Sequence, residues 1–181
     1  MQSSFLVHPI PPLYDKDSRI LILGSFPSPK SREARFFYGH PQNRFWKVMA
    51  QVLDWRGEDS RGLSAFVPST VEEKRIMLLS NHIALWDTIA SCEITGASDS
   101  SITNVTPNDL SPILETAKIR AVFCNGAASH KLYMKYIFPV TGREALKLPS
   151  TSPANAACSL SGLTGVWDGV LHSICGPRSI S

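Results

Sequence analysis

The chain has 181 residues, of which 43% are apolar and 18% are charged. This balance predicts one compact domain with a substantial core and leaves no room for a second full domain. The formal net charge of +3 at pH 7 is too small to indicate a nucleic-acid binder by itself, so charge leaves the partner open.

Cysteines, histidines and apolar runs exclude several further classes. The four cysteines include no C-x-x-C pair and the five histidines no H-x-x-x-H pair, so we expect no metal, no other cofactor and reduced, mostly buried thiols. No apolar run approaches the ~20 residues that cross a bilayer, and the first residues lack a basic segment followed by an apolar one. We therefore expect no membrane contact, a cytoplasmic location and a monomer.

In chain order, the first strong pattern is residues 19–24, a continuous apolar run that ends at Gly24 and predicts a buried parallel strand followed by a Pro/Ser loop. Residues 43–53 place apolar side chains near helical spacing and predict an amphipathic helix. Helices are also predicted over 70–78, 108–117 and 127–136, and strands over 81–86, 120–124 and 145–148. Residues 90–104 are predicted to form a loop. A last helix is predicted to begin near Pro153 or Asn155, with a further helical segment over 166–174.

Alternating strands and helices predict an α/β fold, a three-layer αβα sandwich with a central, mainly parallel four-stranded sheet. Functional groups in such sheets gather beyond the carboxyl ends of the strands. In this chain those ends are the loops that open at Gly24, Asp87, Asn125 and Pro149.

Three segments contain residues suited to chemistry, namely residues 24–28, 36–46 and 148–155. Gly24 permits a tight turn and a close ligand approach, although an ordinary strand-to-helix turn is the commoner explanation. In residues 36–46, Tyr38 is the best candidate for stacking on a flat ring, whereas Phe45 and Trp46 are expected in the core and Asn43 could simply cap the following helix. Residues 148–155 precede a predicted helix, whose backbone amides could bind DNA phosphate or merely be capped.

Two segments together resemble a known family. ILILGSFP (residues 20–27) and GHPQNRFW (residues 39–46) are similar to the uracil-DNA glycosylase superfamily, in particular to its mismatch-specific uracil glycosylases, which carry a G-x-N-P loop and an H-P-x-N-R-F-W segment. The interval between the segments matches without a gap. Phe26, however, stands where the mismatch-specific enzymes carry a catalytic asparagine.

With SNHIALWD (residues 80–87) and LPSTSPANA (residues 148–156), the chain instead resembles the deoxyinosine, or hypoxanthine, DNA glycosylases of that superfamily. The resemblance runs from about Pro11 to about Leu171. It implies a uracil-DNA glycosylase-like fold, with one glycosylase domain over residues 1–181 and a short N-terminal extension over about residues 1–10. The implied partner is DNA that contains a deaminated base.

The resemblance also implies roles for individual residues. In that family the asparagine of the H-P-x-N-R-F-W segment is held responsible for catalysis, which corresponds to Asn43. Phe26 becomes a wall of the base pocket, and Tyr38 takes the place of the aromatic residue that stacks on the extruded base. With the backbone around Ser25 recognising the base edge, the expected base-binding residues are Gly24, Ser25, Phe26, Tyr38 and His40.

The third segment corresponds to the second superfamily motif, which approaches the DNA backbone near the lesion. Its usual first residue, His or Asn, is Ser152 here, which weakens any claim to strong transition-state stabilisation. Asp87 could act as a general base, although a carboxylate at a strand end is more often a cap, so it is a secondary catalytic candidate. The expected DNA-binding residues are Ser150, Thr151, Ser152, Pro153 and Asn155.

The sequence therefore predicts a monofunctional DNA glycosylase of base excision repair that removes a deaminated base, with hypoxanthine as the first choice. One alternative is a uracil-DNA glycosylase of the same fold. Another is a non-catalytic module that binds damaged DNA, which the missing first-loop asparagine makes conceivable. A third is an unrelated α/β hydrolase for free nucleosides, which would show a weak salt dependence because it makes no phosphate contacts along DNA.

Overall fold

The computed structural model describes residues 3–57, 66–95 and 101–175. The strands in these ranges are β1 Ser4–Val7, β2 Ile20–Gly24, β3 Ile83–Asp87, β4 Ile89–Ile94, β5 Thr103–Pro107, β6 Ala121–Asn125 and β7 Ala145–Leu148. They form a four-stranded sheet in the order β3-β2-β6-β7, in which every neighbouring pair is parallel, and a smaller antiparallel sheet in the order β1-β4-β5.

The helices are α1 Pro29–Ala34, α2 Phe45–Val52, α3 Val71–Ser80, α4 Ser111–Thr116, α5 Ala127–Leu132, α6 Phe138–Thr141 and α7 Leu160–Cys175. A π-helical turn at Tyr133–Ile137 joins α5 to α6. In the described part of the chain, each helix is too short or too polar to cross a membrane.

Strand β2 explains why the sheet has helices on both faces. All five of its residues are buried, and because side chains alternate along a strand, they enter two different cores. Ile20 and Ile22 pack in a cluster with residues of α2, α3 and α7. Leu21 and Leu23 pack in a second cluster with residues of α4 and the π-helical turn. The predicted three-layer αβα sandwich with a parallel four-stranded sheet is confirmed.

The loop predicted over residues 90–104 is wrong for most of its described residues, because β4 continues to Ile94 and β5 begins at Thr103; residues 96–100 lie outside the described residues. The Ser/Thr-rich composition conceals three apolar side chains that β4 buries, Ile89, Cys92 and Ile94. The partner of β4 on one side is β1, more than 80 residues earlier in the chain, with Val7 opposite Ser91. A local pattern carries no information about such a distant pairing.

The predicted helix start near Pro153 or Asn155 is also wrong, since α7 begins at Leu160 and continues as one helix to Cys175. Residues 150–155 form turns instead. The Asn155 side chain donates to the carbonyl of Ser150 at 2.9 Å, and the Asn155 backbone amide donates to that of Ser152 at 3.0 Å. Asn and Ser side chains favour such turns because they compete with the helical hydrogen bonds.

Candidate active site

A cavity of about 480 Å³ lies beyond the carboxyl ends of the four parallel strands. This volume is within the range of ordinary small-molecule sites. Loops that follow β2, β3, β6 and β7 form its walls, as expected for an open α/β sheet. Of the residues singled out in the sequence, its lining contains Gly24, Ser25, Phe26, Tyr38, His40, Asn43, Asp87, Ser150, Thr151, Ser152 and Pro153.

The floor of the cavity is the turn after β2. The carbonyl of Gly24 accepts hydrogen bonds from the Thr88 backbone amide at 2.9 Å, the Thr88 hydroxyl at 3.1 Å and the Ser129 hydroxyl at 2.9 Å. A Cβ atom at Gly24 would lie 2.2 Å from Asp87 Oδ1. Glycine is therefore required at this position because the Asp87 carboxylate occupies the space that a side chain would need.

Asn43 is fixed by its side-chain oxygen. Oδ1 accepts a hydrogen bond from the Phe45 backbone amide at 2.9 Å and a second from the Thr151 hydroxyl at 3.0 Å. The alternative prediction of Asn43 as the helix cap is wrong, because the N-cap of α2 is Arg44. A backbone N–H can only donate, so the atom that faces it must be the oxygen of the amide. No described residue accepts a hydrogen bond from Nδ2. The Asn43 side chain thus closes a turn just before α2 and retains two N–H donors at the cavity.

Thr151 links Asn43 to the sheet. Its hydroxyl accepts from Asn125 Nδ2 at 2.9 Å, and its backbone amide donates to Asn125 Oδ1 at 3.0 Å. The predicted DNA contact needs correcting for this residue, because Thr151 is 0% exposed and its hydroxyl is used by the two asparagines. It is a support of Asn43, and only its position in the fold could have shown this.

Arg44 holds the segment after β7 in place. Its guanidinium donates to the backbone carbonyls of Ser152 at 2.8 Å and Asn155 at 2.9 Å, and also to that of Cys158. Its backbone amide donates to the carbonyl of Thr151 at 3.0 Å. A guanidinium has five donors in a rigid plane, which suits it to several carbonyls at once. No local sequence pattern pointed to this role of Arg44, because its carbonyl partners lie more than 100 residues away.

Tyr38 contributes an aromatic ring to the lining of the cavity. Its ring stacks on Phe45 with centroids 4.0 Å apart and an interplanar angle of 24°. Its φ of 51° is uncommon for a residue with a side chain and is typical of turns at functional sites. The phenol oxygen is buried and has no hydrogen-bond partner among the described residues. Burial, followed by the nearby charge of Asp87, raises the pKa of Tyr38, which keeps the phenol neutral.

Phe26 forms an apolar wall. It is 8% exposed and packs on Ile89 and Ile94 of the smaller sheet. The ring of His8 meets it edge to face, with centroids 5.8 Å apart. The predicted position of Phe26 at the cavity therefore comes with a support that the sequence did not indicate, namely strand β4.

A carboxylate at a strand end is more commonly a cap for the following segment, but Asp87 does not have this role. Its Oδ2 lies 2.8 Å from Nε2 of His8, and the two side chains are 6% and 3% exposed. The backbone amide of Ile10 donates to the other ring nitrogen of His8 at 3.2 Å. No local sequence pattern pointed to His8, since the histidine follows β1 and lies 79 residues from its partner.

The outer rim of the cavity contains His40, Ser152 and Pro153. Asn155 is outside the cavity lining and supports the rim through its bond to Ser150. Because α7 starts only at Leu160, the expected helix terminus for a phosphate is absent from residues 153–155, and a DNA contact there would depend on exposed loop groups. Pro153 is exposed.

The described residues show no cluster of three or more His, Cys, Asp or Glu side chains that could hold a metal ion. Cys92, Cys124 and Cys158, the cysteines whose side chains are described, form no disulfide with one another. Burial raises the pKa of the Cys124 thiol to about 12. Cys124 is therefore a protonated core residue at neutral pH.

Comparison with known proteins gives a consistent result. The model of the family described as "Uracil DNA glycosylase superfamily" matches residues 11–167. A relative named hypoxanthine DNA glycosylase from Methanosarcina acetivorans is 32% identical over 146 residues, which cover 80% of this chain and 85% of the relative. One of the same name from Methanosarcina barkeri is 31% identical with the same coverage.

A solved structure is similar in fold as well as in sequence. It is the solution NMR structure of a candidate uracil DNA glycosylase from Methanosarcina acetivorans, with a TM-score of 0.71 and 29% identity. The match covers 92% of this chain and 100% of that one. The chain belongs to the uracil DNA glycosylase superfamily.

Proposed function

We propose that this protein is a monofunctional DNA glycosylase that hydrolyses the N-glycosidic bond of a deaminated base in DNA, with hypoxanthine as its first substrate. The names of the two Methanosarcina relatives support the choice of base. The cavity supports the reaction, because a base inside a duplex has to be extruded into a pocket before any group can reach its glycosidic bond.

The observation that carries the proposal is the orientation of Asn43. With Oδ1 held by the Phe45 amide and the Thr151 hydroxyl, Nδ2 presents its N–H groups to the cavity. Cleavage of the glycosidic bond places negative charge on the leaving base. A donor that is fixed before the reaction stabilises that charge without reorganisation. We assign to Asn43 a hydrogen bond to the departing base, or to the water that attacks the sugar.

The rest of the lining fits a hydrolytic reaction. The described residues around the cavity include no lysine, and thus no amine to form a covalent intermediate with the sugar. Tyr38, with Phe45 behind it, offers a rigid aromatic face for the extruded base. Stacking on such a face is worth about 1–3 kcal/mol per base.

The test is a gel assay of the purified protein on labelled duplexes that contain one hypoxanthine, uracil or xanthine, with alkali cleavage of the abasic product. We expect cleavage at hypoxanthine and a loss of roughly 100- to 1000-fold in Asn43→Ala. Asn81→Ala is the matched control, because the Asn81 amide bonds the carbonyl of Met77 at 2.8 Å and does not line the cavity.

Each other outcome points to a different function. Cleavage only at uracil would assign the protein to a uracil-directed subgroup, to which the structural relative belongs by its name. Binding to damaged duplexes without any cleavage would favour the non-catalytic module. Wild-type turnover in Asn43→Ala would remove Asn43 from the active site.

We further propose that the chain functions as one domain over residues 1–181, as a monomer in the cytoplasm. One chain supplies all the described residues that line the cavity, so the proposed site needs no second copy. The absence of a disulfide among Cys92, Cys124 and Cys158 suits a reducing compartment. Light scattering after size exclusion, with and without a duplex, tests the monomer.

A further inference from the structure

The Asp87 carboxylate is held by one oxygen and presents the other to the cavity. Oδ2 contacts His8 at 2.8 Å, whereas none of the described residues donates a hydrogen bond to Oδ1. Oδ1 lies above Gly24, where a Cβ atom would approach it to 2.2 Å, and Asp87 lines the cavity. Among the described residues, Oδ1 does not belong to the buried polar atoms that lack a partner, so it is an acceptor that a ligand in the cavity can reach.

The hydrogen bonds of His8 determine which partner donates. Nδ1 accepts from the Ile10 backbone amide at 3.2 Å, so the ring proton of neutral histidine is on Nε2 and points to Asp87. Asp87 Oδ2 is then the acceptor of this hydrogen bond. The rings of Phe26 and Trp86 make T-shaped contacts with the histidine ring, with centroids 5.8 and 6.2 Å away. These contacts limit the rotation of the histidine ring.

We propose that Asp87 is the residue that recognises deamination: its Oδ1 accepts the ring N–H that an extruded hypoxanthine carries and adenine lacks. Deamination of adenine exchanges the N1 acceptor for an N1–H donor, beside a new carbonyl at C6. An acceptor on the protein forms a hydrogen bond with the N1–H of hypoxanthine. The same acceptor is repelled by the N1 lone pair of adenine. The inference rests on the proposed function, whose substrate specificity it explains.

The two polar sides of the cavity have complementary roles in this arrangement. Asn43 presents donors, as a leaving base that gains negative charge requires. Asp87 presents an acceptor, which would repel that charge anywhere except at a ring N–H. A general-base role for Asp87 is the competing explanation, and it makes a different prediction, because water activation would serve every base equally.

The experiment compares single-turnover excision of hypoxanthine and of unsubstituted purine, which lacks the ring N–H, from otherwise identical duplexes. Wild-type protein should prefer hypoxanthine. In Asp87→Asn, His8 Nε2–H retains the amide oxygen, so the amide N–H₂ faces the base and the acceptor becomes a donor. The preference for hypoxanthine over purine should fall by about 10- to 100-fold, the range of a hydrogen bond to a charged group.

Two results would overturn the proposal. One is a wild-type protein that removes hypoxanthine and purine at equal rates, an outcome that requires no folded variant. The other is an Asp87→Asn protein, shown to be folded by its melting temperature, whose two rates change by the same factor. A wild-type protein with no activity on hypoxanthine would instead refute the proposed function, which separates the two failures.

His8 is a positioning residue in this scheme, and its test uses the same ratio. His8→Phe keeps a ring between Phe26 and Trp86 but leaves the carboxylate without its donor, so the preference should fall. His8→Gln, which restores an N–H donor, should recover part of it. Asp168→Asn is the matched control, because Asp168 contacts His172 at 2.9 Å on the half-exposed face of α7 and should leave the preference unchanged.

Discussion

The two polar sides of the cavity differ in how their key side chains are held. On one side Asn43 is held at Oδ1 by a backbone amide two residues away and by Thr151, and it presents donors. On the other side Asp87 is held at Oδ2 by His8, which follows the N-terminal strand β1, and it presents an acceptor at Oδ1. The first arrangement suits charge that develops during the reaction, and the second suits a hydrogen that is present before it. Under the two proposals, catalysis and base selection therefore have separate supports.

The largest expected effect comes from reversing the donor side. Asn43→Asp keeps an oxygen for the Phe45 amide and the Thr151 hydroxyl but replaces the donors with a second oxygen. We expect a rate loss at least as large as the roughly 100- to 1000-fold loss from removing a transition-state donor. Single-turnover excision of hypoxanthine measures it. If Asn43→Asp were more active than Asn43→Ala, the assignment of Asn43 as a donor would be wrong.

Removal of the stacking face should have a smaller effect. Tyr38→Ala should lose about 1–3 kcal/mol of base binding, or roughly 5- to 150-fold in kcat/KM. Tyr38→Phe keeps the ring on Phe45 and should lose less. Equal losses in the two variants would show that the phenol hydroxyl, and not the ring face, is the important group.

A still smaller effect is expected from the support of the donor side. Thr151→Val keeps the shape but removes the hydroxyl that donates to Asn43 Oδ1 and accepts from Asn125. Loss of the hydrogen bond to the neutral Asn43 amide predicts roughly a 2- to 15-fold fall in kcat, with the base preference unchanged. Thr151→Ser should restore activity. A fall in the hypoxanthine preference instead would mean that the two sides are coupled.

The smallest effect concerns stability at high pH. The folded-state pKa of Tyr38 lies above its unfolded value of about 10, so the neutral phenol contributes fully below pH ~10, and this contribution decreases as the pH rises further. The free energy of unfolding of wild-type protein should therefore fall more steeply above pH ~10 than that of Tyr38→Phe, by up to about 1.4 kcal/mol per pH unit. Urea titrations between pH 9 and 11 test this, and parallel curves would contradict the burial of the phenol.

Much of the donor side could be predicted from the sequence. The apolar run at Ile20–Gly24 is a local signal for a parallel strand, and the place of functional loops at the carboxyl ends follows from the sheet type. Tyr38 and Asn43 follow from the resemblance of one short segment. The structure places both at the cavity, and their roles stay predictions. The alternative prediction, Asn43 as the cap of α2, is wrong because Arg44 is the N-cap; the Asn43 oxygen instead accepts from the Phe45 amide and leaves Nδ2 for another partner.

The acceptor side could not be predicted in the same way, because its parts are distant in sequence. His8 meets Asp87 only after β1 has paired with β4. The supports of the donor side were equally hidden from the sequence. Thr151 and Arg44 have their supporting roles only because β7 lies beside β6 and the loop after β7 returns to the start of α2. Local patterns determined the four strands of the parallel sheet, the layers around it and the loops at its carboxyl ends, but not the three strands of the smaller sheet. The burial and pairing that leave one face of Asn43 and of Asp87 open to a ligand depend on contacts across the whole chain, and only the tertiary structure decided them.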